Sequence, residues 1–252
     1  MKKGLALIGG LALLGSTFFG INIENTKASS EVTNQYQVND GYTILTNEDI
    51  KTLEAFFNQY NVDKKTQVSL IKKLKNGEKW DSLKNDTLPV LENTVELEDG
   101  TKENVRVFED GSIAVSSVDL SDATITNITP TKRNIGPLAV TPGTVTSGTG
   151  YSIYSKAKVH QSTGVISAHF YADFVLVQNG MDYISRVYNE KVTILGGNLS
   201  EVNLKIVKSK ETLDYKAEAK LSFVVNSTQW TGANCYLKLL VGKDTYSSPY
   251  SF

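Results

Sequence analysis

Cysteine, histidine and long apolar runs are what this chain of 252 residues has little of. Its one cysteine, Cys235, has no second to pair with, so no disulfide forms within the chain and the fold must rest on its core. Only two histidines occur, His160 and His169. Zinc hydrolase motifs need paired histidines on one helix with a general-base glutamate, and that pattern is missing. A nucleophile elbow of the G-x-S-x-G type is missing too, as is a glycine loop that cradles phosphate between a strand and a helix. Carboxylate pairs for glycoside hydrolysis meet in space rather than in sequence, and the spacing singles out no such pair. The sequence therefore reads as a non-enzymatic protein, with no cofactor and no metal site expected. Charge of one sign is also lacking, with 26 Lys and Arg against 27 Asp and Glu. So even a balance argues against nucleic acid as a partner.

The one long apolar run lies at the start. Lys2 and Lys3 precede it, it extends from Gly4 to about Ile21, and Thr26 and Ala28 follow at the positions a signal peptidase reads. Residues 1–28 are expected to be a signal peptide cut after Ala28. No cysteine follows the run and the final "SSPYSF" carries no sorting signal, so the expectation is a secreted protein with no lipid or wall anchor. Cleavage removes three lysines and one glutamate, leaving 23 basic and 26 acidic residues. The sign is uneven. Residues 29–149 hold 12 basic and 18 acidic residues, whereas residues 150–252 hold 11 and 8.

Residues 29–45 are polar and read as a flexible N-terminus. A helical hairpin is predicted over 46–88. Thr46 can cap the first helix, Glu48 and Asp49 suit its first turn, and Ile50, Leu53, Phe56, Phe57 and Tyr60 recur on one face. Asp63 starts a second helix with Val68, Leu70, Ile71 and Leu74 inward, and Gly77 stops it. Two "DG" pairs, Asp99-Gly100 and Asp110-Gly111, then punctuate alternating apolar residues. They predict a β-meander over 93–119, with both central turn residues at positive φ. Residues 120–150 read as a linker, because 121–150 holds eight Thr, three Pro and four Gly. Lys132 and Arg133 within it form a candidate processing site.

The remainder, 151–252, is strand-dense. From Ile166 the even positions are apolar to Leu176, against outward His169, Tyr171 and Asp173. Further inward sets are Val202, Leu204 and Ile206; Tyr215 to Val225 in alternation; and Cys235, Leu237, Leu239 and Val241. Long strands with one apolar face predict an antiparallel β-sandwich, immunoglobulin-like or related. The fold class is thus mainly β with a small α part. Aromatics are the remaining lead, with nine Tyr, four Phe and one Trp in residues 150–252. Tyr183, Tyr188 and Trp230 fall near turns. The outward residues His169, Tyr171, Asp173, Tyr236 and Lys238 are the candidate binding positions, since exposed Tyr offers apolar area with a polar tip. Cys235 belongs to an inward series and reads as a small core residue.

The succession "YNVDKKTQVSLIKKLKNGEKWDSL", "RVFEDGSIAVSSVDL", a Thr/Gly linker, "HFYADFVLV", "DYISRVYNEKVTILGG" and "EVNLKIVKSKE" resembles an uncharacterised family of exported proteins of Gram-positive bacteria. The resemblance implies secretion, a helical hairpin and a β-rich C-terminal domain, and it supplies no catalytic residues. The leading functional expectation is an extracellular binding β-sandwich whose partner is a glycan, a wall polymer or a protein. An alternative is an antimicrobial, bacteriocin-like or membrane-active protein, based on the basic helix, with residues 29–133 as a pro-region. Only that alternative involves a membrane. A cell-wall-acting enzyme is the third and weakest alternative.

Overall fold

Thr46 caps the first helix with more than its hydroxyl. The computed structural model describes residues 45–128, 150–227 and 232–252, which belong to one compact unit. The signal peptide with Ala28, the Lys132-Arg133 pair and Trp230 lie outside the described residues. Helix α1 runs Asn47–Gln59. The Asp49 amide donates to Thr46 Oγ1 at 3.1 Å and the Thr46 amide donates to Asp49 Oδ2 at 2.8 Å, a reciprocal capping box. Helix α2 runs Lys64–Lys75, capped by Asp63, and Gly77 follows its end at φ 74°. Leu53, Phe57, Leu70 and Leu74 are wholly buried. Val68, expected inward, is 65% exposed, and Gln67 takes the inward place. The Gln67 amide donates to Asn58 Oδ1 at 3.0 Å and to the Val62 carbonyl at 2.8 Å, so it ties the inter-helix turn to α2. Trp80 is buried beyond the helix end, and its indole N–H donates to the Leu70 carbonyl.

The meander forms from β1 (Leu91–Glu96), β2 (Lys102–Val107) and β3 (Ile113–Asp119), antiparallel throughout. Its turns differ from the expected two-residue type. Leu97 and Thr101 close one three-residue loop, and Phe108 and Ser112 close the other. Only the glycines hold positive φ, 86° at Gly100 and 81° at Gly111. Asp99 and Asp110 instead accept from the amides two residues on, Thr101 and Ser112. This is the aspartate side-chain turn followed by a glycine bulge.

The strands that follow are β4 (Thr124–Ile128), β5 (Tyr151–Ser162), β6 (Ile166–Val177), β7 (Tyr183–Ile194), β8 (Gly197–Lys208), β9 (Ala217–Ser227), β10 (Ala233–Val241), and the short β11 (Tyr246–Ser247) and β12 (Tyr250–Ser251). They complete two antiparallel sheets. The first has the order β1-β2-β3-β5-β6-β7 with β4 also on β5. The second has the order β11-β10-β9-β8 with β12 also on β10. Val118, Val159, Phe170 and Phe174 of the first sheet share one buried cluster with Leu221, Phe223, Leu237 and Leu239 of the second. The buried leucines of α1 and α2 join that cluster. The protein is therefore a mainly β, antiparallel sandwich with a small α part. Neighbouring strands are consecutive in sequence except where β5 takes β3 as well as β4 and β10 takes β12 as well as β11, so each sheet is a meander without Greek-key crossings.

Two expected boundaries shift. Strand β4 lies inside the predicted 120–150 linker and pairs with the first half of β5. Strand β3 pairs with the second half, from Val115 opposite Ser162 to Asp119 opposite Lys158. Residues 93–119 thus belong to the first sheet of the sandwich rather than to a separate unit. Burial gives the reason: Ile113 to Val118 are all buried, on both faces of β3, which a free three-stranded meander could not achieve. Strand β5 changes neighbour at Lys156, a residue at φ 65° in a register shift between Tyr154 and Ala157.

Candidate binding face

Strands β9 and β10 bury one side of each strand and β8 half-buries Leu199, Leu204 and Ile206, so the remaining residues share the outer face of the second sheet. Register decides what those residues form together. Lys205 lies opposite Lys220, and Lys220 lies opposite Lys238. Asn203, Ser222 and Tyr236 make the adjacent row, with Ser251 of β12 beyond it. Three lysines on three neighbouring strands oppose one another directly, an arrangement that destabilises a sheet unless something compensates.

Compensation within the chain is partial. Lys238 Nζ reaches Glu218 Oε1 at 2.9 Å. Lys205 and Lys220 make no ion pair among the described residues. The Lys220 and Lys238 ammonium groups lie 5.0 and 5.2 Å from the centroid of the Tyr236 ring, whose electron-rich face attracts cations. Beside them β8 carries a bulge between Ser200 and Asn203, with Glu201 at φ 54°. The extra residue bends the strand. It also breaks the alternation, which explains why Val202, expected inward, is 45% exposed. At the bulge a hollow of about 260 Å3 opens between Glu201, Lys220, Ser222, Asn234 and Tyr236. Farther along the face, Lys208 Nζ sits 5.1 Å from the ring of Tyr215, and Tyr215 is 69% exposed. Tyr215, whose spacing predicts an inward position, belongs to the loop, because strand β9 begins only at Ala217.

The five candidate positions fall into two groups on opposite sheets. Tyr236 and Lys238 belong to the lysine face just described. His169, Tyr171 and Asp173 lie on the outer face of the first sheet, where β6 alternates as the period predicted. There Asp173 is fully engaged. It accepts from the Lys156 amide at 2.9 Å, from Arg186 Nη2 at 2.7 Å and from the Tyr188 hydroxyl at 3.2 Å. Its work is to hold the left-handed Lys156 where β5 changes neighbour. The His169 ring meets Tyr171 edge-on at 6.1 Å, and Tyr171 stacks on Tyr188 at 6.0 Å. His160, opposite His169, accepts or shares a hydrogen with Ser167 Oγ at 3.3 Å. Burial, then Lys158 and His169, push His160 down to about 4. Burial and the nearby Lys158 and Lys191 push His169 down as well. Both rings are held toward the neutral form. Cys235 is buried in the core, and burial raises its thiol to about 11, which keeps it out of the nucleophilic thiolate form.

Nothing in the sequence marks Lys205 or Lys220 as part of a site. Each was legible as an outward residue of its own strand, but their alignment depends on the register of three strands. Among the described residues no group of His, Cys, Asp and Glu is placed to hold a metal ion, and no helix is long and apolar enough to cross a membrane. No protein-family model matches the chain, and no curated protein matches it either. Among solved structures, a hypothetical protein of Listeria monocytogenes EGD-e aligns with 60% of this chain and 94% of its own. The identity is 20% and the TM-score 0.33, too low to carry an argument.

Proposed function

We propose that the protein is a secreted binding module rather than an enzyme, and that its second sheet takes an anionic extracellular polymer. The observation that carries this reading is the Lys205–Lys220–Lys238 row, in which only Lys238 has a carboxylate partner among the described residues. A linear polyanion laid across the strands would meet successive ammonium groups and relieve their repulsion. The hollow beside Tyr236 offers hydroxyl and amide groups, from Ser222 and Asn234, for the uncharged part of a repeat unit. Among the expected partners, an anionic wall polymer fits this chemistry better than a neutral glycan.

The membrane-active alternative has less support. The apolar side of α2, which would have to enter lipid, is buried, with Leu70 and Leu74 wholly covered. One of its clustered lysines, Lys73, is paired with Asp110 at 3.2 Å.

The test is binding of the full chain to poly(glycerol phosphate) and to a neutral polysaccharide, each over a series of salt concentrations. The expected result is binding to the polyanion alone, weakening as salt rises, and lost in a Lys205→Gln/Lys220→Gln double variant that folds normally. Equal binding to both polymers, or binding to neither, sinks the reading. Dye release from anionic vesicles in the same experiment would favour the membrane-active alternative.

A further inference from the structure

An open sheet edge is a template for another strand unless bulges, cations or shortness protect it. Strands β7 and β8 each end a sheet, and both are protected. Two register shifts break each of them, and they carry Arg186 and Lys191, and Lys205 and Lys208, respectively. Strands β11 and β12 have two residues each, and β4 leads directly into residues outside those described. Strand β1 differs. Its register with β2 is unbroken from Leu91 to Glu96, it holds no lysine or arginine, and among the described residues β2 is its one neighbour. Leu88, Val90, Leu91 and Leu97, on it and beside it, are exposed.

Two acids, Glu92 and Glu96, are the charges left to repel a strand from this edge, and β2 answers both. Arg106 Nε donates to Glu92 Oε1 at 2.9 Å, and Lys102 Nζ lies 3.6 Å from Glu96 Oε2. The ladder with β2 decides which backbone groups face outward. The Leu97 amide donates to the Thr101 carbonyl at 2.9 Å, so in alternation Leu91, Asn93 and Val95 turn their amides and carbonyls toward β2. Glu92, Thr94 and Glu96 turn theirs outward. A second β1 laid antiparallel about a two-fold axis has two central registers to choose from. Centred on Thr94, it sets Glu92 opposite Glu96 of the second copy, a like-charge pair that destabilises. Centred on Asn93, it sets Glu92 opposite Thr94, Leu91 opposite Val95, and Asn93 opposite itself. Every outward amide of Glu92 and Thr94 then finds a carbonyl, and the apolar residues meet at the closer, non-hydrogen-bonded positions.

We propose that β1 is a self-association edge, and that two copies of this chain pair β1 to β1, antiparallel, about a two-fold axis at Asn93. The first sheets of the two copies then join into one continuous sheet. The partner is a second copy because the residue pattern of β1 complements itself in one register and opposes itself in the other. The edge is separate from the lysine face, which lies on the second sheet. The ladder is short, so the dimer should be weak and dissociate on dilution.

The experiment is sedimentation equilibrium of the full chain over a series of concentrations. The expected result is a reversible monomer–dimer equilibrium, unchanged in the Lys205→Gln/Lys220→Gln variant. Leu91→Lys sets an ammonium group against Val95 of the second copy and should weaken the dimer by roughly tenfold or more. Leu91 is exposed, so the melting temperature should stay that of the wild type. Thr94→Pro removes an outward amide, which a solvent-facing edge position tolerates, and should abolish the dimer. Asn93→Cys reads the register itself. The paired Cα atoms would lie about 4.5 Å apart, within the span of a disulfide. Mild oxidation should link this variant into dimers but not Thr94→Cys, whose new thiol faces Glu92. The wild type should stay unlinked, because Cys235 is buried. The inference is overturned by a chain that is monomeric at every concentration, or by a dimer that Leu91→Lys leaves intact. Equal linking through positions 93 and 94 overturns it as well. Should Thr94→Pro fail to fold, Leu91→Lys and Asn93→Cys decide.

Discussion

The indole Nε1–H of Trp80 donates to the carbonyl oxygen of Leu70 at 2.8 Å, and both residues are wholly buried. The bond fastens the segment after α2 back onto the middle of that helix. Phe57 of α1 lies on the other side, its ring centroid 5.5 Å from that of Trp80. Trp80→Phe keeps most of the packing and loses the bond, for a cost of about 1–2 kcal/mol. Trp80→Ala removes the packing as well and should cost roughly 3–5 kcal/mol. Urea denaturation followed by circular dichroism measures both, and a Trp80→Phe variant as stable as the wild type would show that the bond contributes nothing.

Gly111 is required at its turn twice over. Its φ of 81° suits only glycine without strain, and an added Cβ would lie 2.4 Å from Thr66 Cγ2 on α2. Gly111→Ala should destabilise by about 1–3 kcal/mol. Thr66→Ser removes the opposing methyl group while keeping a hydroxyl for Asp63. In that background the steric part of the penalty should disappear and the backbone part remain, so the double-variant cycle should show favourable coupling.

Acid should weaken the fold through His160. Its folded value of about 4 lies below the ordinary value of 6.5, because burial and the facing Lys158 and His169 oppose its charge. Between those values the unfolded chain binds a proton that the folded chain does not. Stability therefore rises with pH across this window, is fully present above about pH 6.5, and falls by roughly 2–3 kcal/mol toward pH 4. Asp182, raised by burial, contributes in the opposite sense near the acid end, because its folded form takes up a proton more readily. Denaturation midpoints of the wild type and His160→Gln against pH check the point, and the variant should show the shallower slope.

Asp182 joins three connections at the far end of the strands. Its Oδ1 accepts from the Val177 amide at 2.7 Å and its Oδ2 from the Asp244 amide at 2.9 Å, while Glu211 Oε2 accepts from the Asp182 amide at 3.1 Å. Asp182→Asn would aim an amide N–H2 at one of those donors, a loss of about 1–3 kcal/mol. Amide hydrogen exchange at Val177 and Asp244 should accelerate in the variant. Unchanged exchange at both would show that the carboxylate does not hold the loops.

Much of this architecture was legible because single strands and helices announce their periods. Thr46, Asp63 and Gly77 mark the helix ends, and β6, β9 and β10 alternate as their inward residues require. What lay beyond a single sequence was registration between strands far apart in the chain. The pairing of β3 with β5 crosses more than thirty residues, and the Thr/Pro/Gly composition between them masked β4. The bulge at Glu201 likewise displaced Val202 from the face its period assigned. Tyr236 and Lys238 could be named because each is outward on its own strand. Lys205 and Lys220 gain their meaning only beside them.

The way β5 holds β3 along one half and β4 along the other has a consequence for the integrity of the chain. A protease that cut between Lys132 and Arg133 would sever a covalent connection but none of the sheet ladders on either side of it. Val118 and Leu120 would stay in the common core with Val159 and Phe170. The two pieces would behave as complementing fragments, one supplying the edge of a sheet and the other its centre. They would travel as one particle until a denaturant parted them.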